Sequence, residues 1–187
     1  MARERQTRPG YKVVYPNRGK AASQVTKLIV VAILLASVVL MLIVTIGGWS
    51  KLQGLKPLNF AWCIVYLIVA YYVLRWNRGV LPIAAALAIL LLIIALIAGT
   101  GIAGTSWFDR NHHGFAAPHT LFGGKGLGPD VLGAVTLIIA PVQLLLIVFA
   151  MYGFSQGWNV EQEVRDDEGR RRRGEGSGSG APEPAPA

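Results

Sequence analysis

Residues 80–103 read VLPIAAALAILLLIIALIAGTGIA, a run of 24 residues without one charge. A helix that crosses a hydrocarbon core of about 30 Å needs about 20 mostly apolar residues, and this run supplies them. Three further stretches meet the same requirement. Residues 131–154 (VLGAVTLIIAPVQLLLIVFAMYGF) are also free of charge, and residues 28–46 (LIVVAILLASVVLMLIVTI) are interrupted only by the polar Ser37 and Thr45. Residues 58–76 (LNFAWCIVYLIVAYYVLRW) are the least apolar, with Asn59 and Arg75 near the ends and three tyrosines inside, yet residues 60–74 are uncharged. The fold class that follows is all-α: a polytopic membrane protein with a bundle of four transmembrane helices.

Composition agrees. Of 187 residues, 53% are hydrophobic and 15% charged, against roughly 45–50% and about 25% in soluble domains. A mean hydropathy of +0.47 coexists with a net charge of +8 because the charges lie in the tails and connections. The chain divides into a basic N-tail (1–27), a membrane domain (28–154) and a polar C-tail (155–187).

The connections constrain the arrangement. Only Asn77, Arg78 and Gly79 separate the second and third spans, which predicts an antiparallel hairpin whose helices pack side by side. Residues 47–57 join the first two spans with Gly, Lys and Pro punctuation. Residues 104–130 join the last two, and connections beyond about 12–15 residues are commonly lids, binding elements or disordered segments.

Lys and Arg near span ends are retained on the cytoplasmic side. Both termini and the short hairpin share one side, with 14 basic residues against four (Lys51, Lys56, Arg110, Lys125) on the other. The termini are therefore expected in the cytoplasm, the 104–130 loop outside, and the first span acting as an uncleaved signal anchor in a cell membrane. Usage of Ala, Arg, Gly and Pro suggests a high-GC bacterial source. The lone cysteine, Cys63, lies within the second span, which leaves no intramolecular disulfide to form.

The N-tail carries seven basic residues and Glu4. Beside an anionic leaflet each basic residue near the surface contributes about 1 kcal/mol, so anionic lipids are an expected partner. Tyr11, Tyr15 and Pro16 are unusual for a solvated tail and suggest docking to another subunit. The C-tail is dense in both charges to Arg173, where it prolongs the fourth helix or forms an interfacial one. From Gly174 (GEGSGSGAPEPAPA) it is expected to be disordered. The arginines at 170–173 serve as a topology anchor, and no nucleic-acid partner is expected.

Ionisable residues inside a membrane mark pumps and carriers, and the spans have none at their centres. Their polar groups are Ser37, Thr45, Cys63, Tyr66, Tyr71, Tyr72, Thr100, Thr136 and Gln143. Proton-driven transport by this chain alone and intramembrane proteolysis are both disfavoured, and no Ser-His-Asp, Cys-His or paired-carboxylate pattern supports an enzyme. Ala95, Gly99 and Ala103, and likewise Ala32 with Ala36, repeat at four-residue spacing as small-residue ridges for close helix packing. Pro141, close to Gln143, is expected to kink the fourth span, while Pro82 falls in the first turn of the third, where its missing N–H costs nothing.

The long loop holds every histidine of the chain. His112, His113 and His119 lie with Asp109 in one short window. These donors suit zinc, copper or iron, although their spacing fits no established signature. The GGKGLG run at 123–128 lacks the Ser/Thr of a phosphate-binding loop and reads as a flexible connector, with Asp130 as N-cap of the fourth span. The leading expectation is a non-catalytic multi-pass subunit or assembly factor, without a cofactor, of a larger complex in respiratory or transport machinery, packed against other integral membrane subunits. The alternatives are a metal- or haem-handling protein using Asp109, His112, His113 and His119, and a small homo-oligomeric channel or carrier.

Overall fold

The computed structural model describes residues 11–52, 56–100, 108, 120–121, 124 and 126–165. Four helices dominate: α1 (Ala21–Gly47), α2 (Lys56–Leu74), α3 (Val80–Thr100) and α4 (Pro129–Ser155). All are long and apolar enough to cross a membrane, so the chain is a multi-pass membrane protein with an all-α bundle. Two short strands, β1 (Tyr11–Val14) and β2 (Gln162–Arg165), pair antiparallel with Tyr11 opposite Arg165 and Val14 opposite Gln162.

The described residues form two compact units, one within residues 17–159 and a second made of residues 11–16 with 160–165. The helical unit is wider than the 28–154 read from hydropathy. Helix α1 begins about two turns before Leu28, and Ser23 and Thr26 in that extension are buried. A hydropathy window passes over such residues because it scores lipid affinity, whereas these are covered by protein. In the second unit the Tyr15 hydroxyl donates to Glu161 Oε1 at 3.2 Å, beside the paired strands. The expectation that residues 155–173 prolong the fourth helix or form an interfacial one is corrected as far as residue 165: α4 stops at Ser155, and residues 162–165 are extended. Residues from 174 onward lie outside the described residues, as does Ala103.

Helix order round the bundle is set by packing. Helix α1 lies between α2 and α4, α3 lies along α4, and α2 scarcely touches α3. The side-by-side hairpin expected from the short 77–79 connection is therefore not formed. The turn itself is tight. Asn77 N–H donates to Tyr72 O and Trp76 N–H to Val73 O, both at 3.0 Å, closing α2 with the paired bonds of a Schellman motif. The position that normally takes glycine holds Trp76 at φ 62°, a conformation that costs a non-glycine residue about 1–3 kcal/mol. After it, Asn77 Oδ1 accepts from Gly79 N–H at 3.1 Å just before α3 starts.

Lipid tails are as apolar as leucine, so membrane helices associate through close packing and hydrogen bonds. The α3–α4 seam uses the first. Its α3 side is built from small residues, with Ala84, Ala85, Ala88 and Ala95 buried. At Gly99 a Cβ would lie 2.6 Å from Leu137 Cγ and 3.1 Å from Gly133 O. Only glycine lets the two backbones come that near.

At the start of α4 the N-cap is Gly128, in extended conformation, with Pro129 following. Asp130 is therefore not the cap, as expected from sequence, but a first-turn acid that complements the helix dipole. The end of the glycine-rich run is also anchored rather than free: Leu127 N–H donates to Gly47 O at 3.0 Å.

Candidate functional site

Helix α1 carries the hydroxyls Thr26, Ser37 and Thr45 on its buried side. Each gives its hydrogen to the carbonyl four residues back: Thr26 to Ala22 O at 2.8 Å, Ser37 to Ile33 O at 2.9 Å, and Thr45 to Met41 O at 2.6 Å. A hydroxyl needs such a partner where water is absent. With the hydrogen committed, the oxygen can only accept, and in each case the amide of a residue outside α1 donates to it.

At mid-bundle, Gln143 Nε2 of α4 donates to Ser37 Oγ at 2.9 Å, and the Tyr66 hydroxyl of α2 donates to Gln143 Oε1 at 2.8 Å. All of these side chains are fully buried, and one chain of bonds ties α1, α2 and α4 together. The acceptor role of Ser37 dictates which way the Gln143 amide faces. Pro141 lies two residues earlier, on the exposed side of a helix that runs unbroken from Pro129 to Ser155.

Near the end of the bundle that carries the 77–79 hairpin, Gln156 Nε2 donates to Thr26 Oγ1, and its Oε1 accepts from Trp158 Nε1, each at 2.9 Å. Trp158 is fully buried. A Cβ at Gly153 would meet its ring at 3.1 Å, so that glycine makes room for the indole. The ring stands edge-on to Trp76, with centroids 5.4 Å apart and planes at 84°. Lys27 Nζ lies 4.0 Å from the Trp76 ring centroid, and the Arg78 guanidinium lies 4.1 Å from that of Phe154. Arg18 bonds Trp158 O and Asn159 Oδ1, and Asn17 bonds Gly157 O. Of these groups the Trp158 ring and the Lys27 ammonium lie against the Trp76 indole, and both contacts favour the position that its strained backbone holds.

Near the opposite end, Asn59 Nδ2 of α2 donates to Thr45 Oγ1 at 3.1 Å. Asn59 borders a cavity of about 340 Å³ whose other walls are almost wholly apolar. Among the described residues they come from Met41 and Val44 on α1, Leu58 on α2, Leu91, Ile94, Ala95, Ile97 and Ala98 on α3, and Thr136 and Ile139 on α4, with Leu52 and Phe108 beside them.

The residues singled out from sequence fall in different places. Asp109, His112, His113 and His119 lie outside the described residues; among the described residues no three His, Cys, Asp or Glu side chains converge. Ala95 and Gly99 face α4 of the same chain, whereas Ala32 and Ala36 lie exposed on the outside of α1. Gln143, one of the polar groups that the sequence places inside the spans, near Pro141, proves to be the centre of the buried polar chain. Asn59, Gln156 and Trp158 were missed because each lies at or beyond a span end, where hydropathy carries no information about what a side chain contacts. Their one legible signal is the spacing of Thr26, Ser37 and Thr45 along α1, which puts a hydroxyl within reach of each end and the middle.

No family model, curated protein or solved structure matches the chain.

Proposed function

We propose that the protein is a non-catalytic, multi-pass subunit or assembly factor of a larger complex in a cell membrane, with respiratory or transport machinery as its host. The observation that carries this reading is the use made of the polar groups inside the bundle. Ser37, Gln143, Tyr66, Thr45 and Asn59 bond to one another across helices, which is the chemistry of a scaffold rather than of turnover. No ionisable side chain interrupts the centres of the spans, so the chain offers little for proton or ion passage.

The same reading assigns both termini to the cytoplasm, on the distribution of positive charge. Lys20, Lys27, Arg75 and Arg78 gather at the hairpin end of the helices, as expected for the side that retains positive charge. The same residues and the basic N-tail favour anionic headgroups there. Ala32 and Ala36, exposed on α1, form the surface on which a partner's helix packs closely.

Purification of the tagged full chain from its native membrane in mild detergent tests the reading. A large assembly of fixed stoichiometry is expected, and its other members supply the function. Recovery as a monomer or small homo-oligomer overturns it.

A further inference from the structure

The cavity beside Asn59 lies among membrane-spanning helices, and its volume of about 340 Å³ falls within the roughly 300–1,000 Å³ typical of small-molecule sites. Its shape follows from the packing. Because α2 leans on α1 and α3 on α4, a gap opens between α2 and α3. Leu58 on one side and Ile94 and Ile97 on the other are exposed, so the gap faces the lipid phase.

The cavity has a polar end and an apolar floor. The polar end is Asn59, in the first turn of α2 at the loop end of the bundle. One hydrogen of its Nδ2 goes to Thr45, and an amide nitrogen carries two. The floor is formed by Met41 and Ile139, each one turn away from the Ser37–Gln143 bond that closes the bundle beneath. Along α3 the lining runs from Ala98 back to Leu91, a depth of about 10 Å at 1.5 Å per residue. Water and ions find almost nothing to bond in such a space. A hydrocarbon chain that enters from the bilayer, with a carbonyl held near the interface and its tail pointing to the membrane centre, meets the right surface at each level.

We propose that this cavity binds one acyl chain of a membrane lipid, entered through the α2–α3 gap, with the lipid's ester carbonyl accepting the second Asn59 Nδ2 hydrogen. The site depends on the helical unit alone and not on the chain having a protein partner.

The test uses the full chain reconstituted in phosphatidylcholine containing a fraction of the same lipid with a diazirine in its acyl chain. After illumination, the adducts are mapped by peptide mass spectrometry. Lipid around the outside reaches exposed residues only, whereas Met41 and Ile139 are buried. Adducts on these two residues are expected in the native protein. They should be lost in Ala98→Phe, which fills the cavity, and in Leu58→Trp, which obstructs the gap from an exposed position and leaves the core untouched. Asn59→Leu should weaken retention roughly fivefold, the value of one hydrogen bond. Adducts confined to exposed residues in the native protein overturn the proposal, as does wall labelling that persists in both Ala98→Phe and Leu58→Trp. A native complex in which another subunit's helix seals the gap and the walls stay unlabelled overturns it too.

Discussion

Replacing Gln143 by leucine keeps most of the side-chain volume and removes both of its hydrogen bonds, at 2.9 Å to Ser37 and 2.8 Å to Tyr66. The two ends of the network suffer unequally. Ser37 keeps its own bond to Ile33 O and merely loses a donor. Tyr66, fully buried, loses the acceptor for its hydroxyl. Interhelical hydrogen bonds in membrane proteins contribute about 0.6 kcal/mol on average and up to about 1.7, and an orphaned buried donor costs about 1–3 kcal/mol. Gln143→Leu should therefore destabilise the bundle by about 1.5–3 kcal/mol, towards the upper part of that range if no other acceptor reaches Tyr66. Tyr66→Phe removes the orphan, so the double variant should be more stable than the sum of the single losses predicts, by roughly 0.6–1.7 kcal/mol. Detergent-titrated unfolding followed by tryptophan fluorescence gives all four corners of the cycle. A Gln143→Leu protein within about 0.3 kcal/mol of the native one, or strict additivity, would refute the reasoning.

Other substitutions probe the remaining contacts. Gly99→Leu drives a side chain into Leu137 and the Gly133 carbonyl; overpacking of this kind costs about 1–3 kcal/mol, and a lowered unfolding midpoint is expected. Trp158→Ala empties the space against Gly153 and Trp76, with a loss of about 3–5 kcal/mol in the same unfolding assay. Ala36→Leu should leave that midpoint nearly unchanged, since the residue is exposed, yet reduce recovery of partner subunits; unchanged recovery removes this face of α1 from the proposed interface.

The spans were legible because hydropathy is a sum over neighbours in the chain, and each run is uniformly apolar. Their ends were not. The first turns of α1 hold Thr26, which is bonded by Gln156, 130 residues along the chain, and Gln156 in turn accepts from Trp158. The small-residue ridge at Ala95 and Gly99 was visible as a packing surface, but nothing local says whether its partner is this chain or another. In the folded chain α4 occupies it. The histidine window lies outside the described residues and stays as the sequence presents it.

The sequence by itself determined that four segments enter the membrane, because a residue's preference for lipid over water belongs to that residue. It could not determine the order of helices round the bundle. That choice rests on which surfaces fit when segments 77 or 106 residues apart are brought together, as Tyr66 and Ser37 are on Gln143. It is also why the hairpin partners α2 and α3 stand apart despite their short connection. Close backbone approach at Gly99 draws α3 to α4, the hydroxyls of α1 draw α2 and α4 to themselves, and the cavity is the space left between the two pairs.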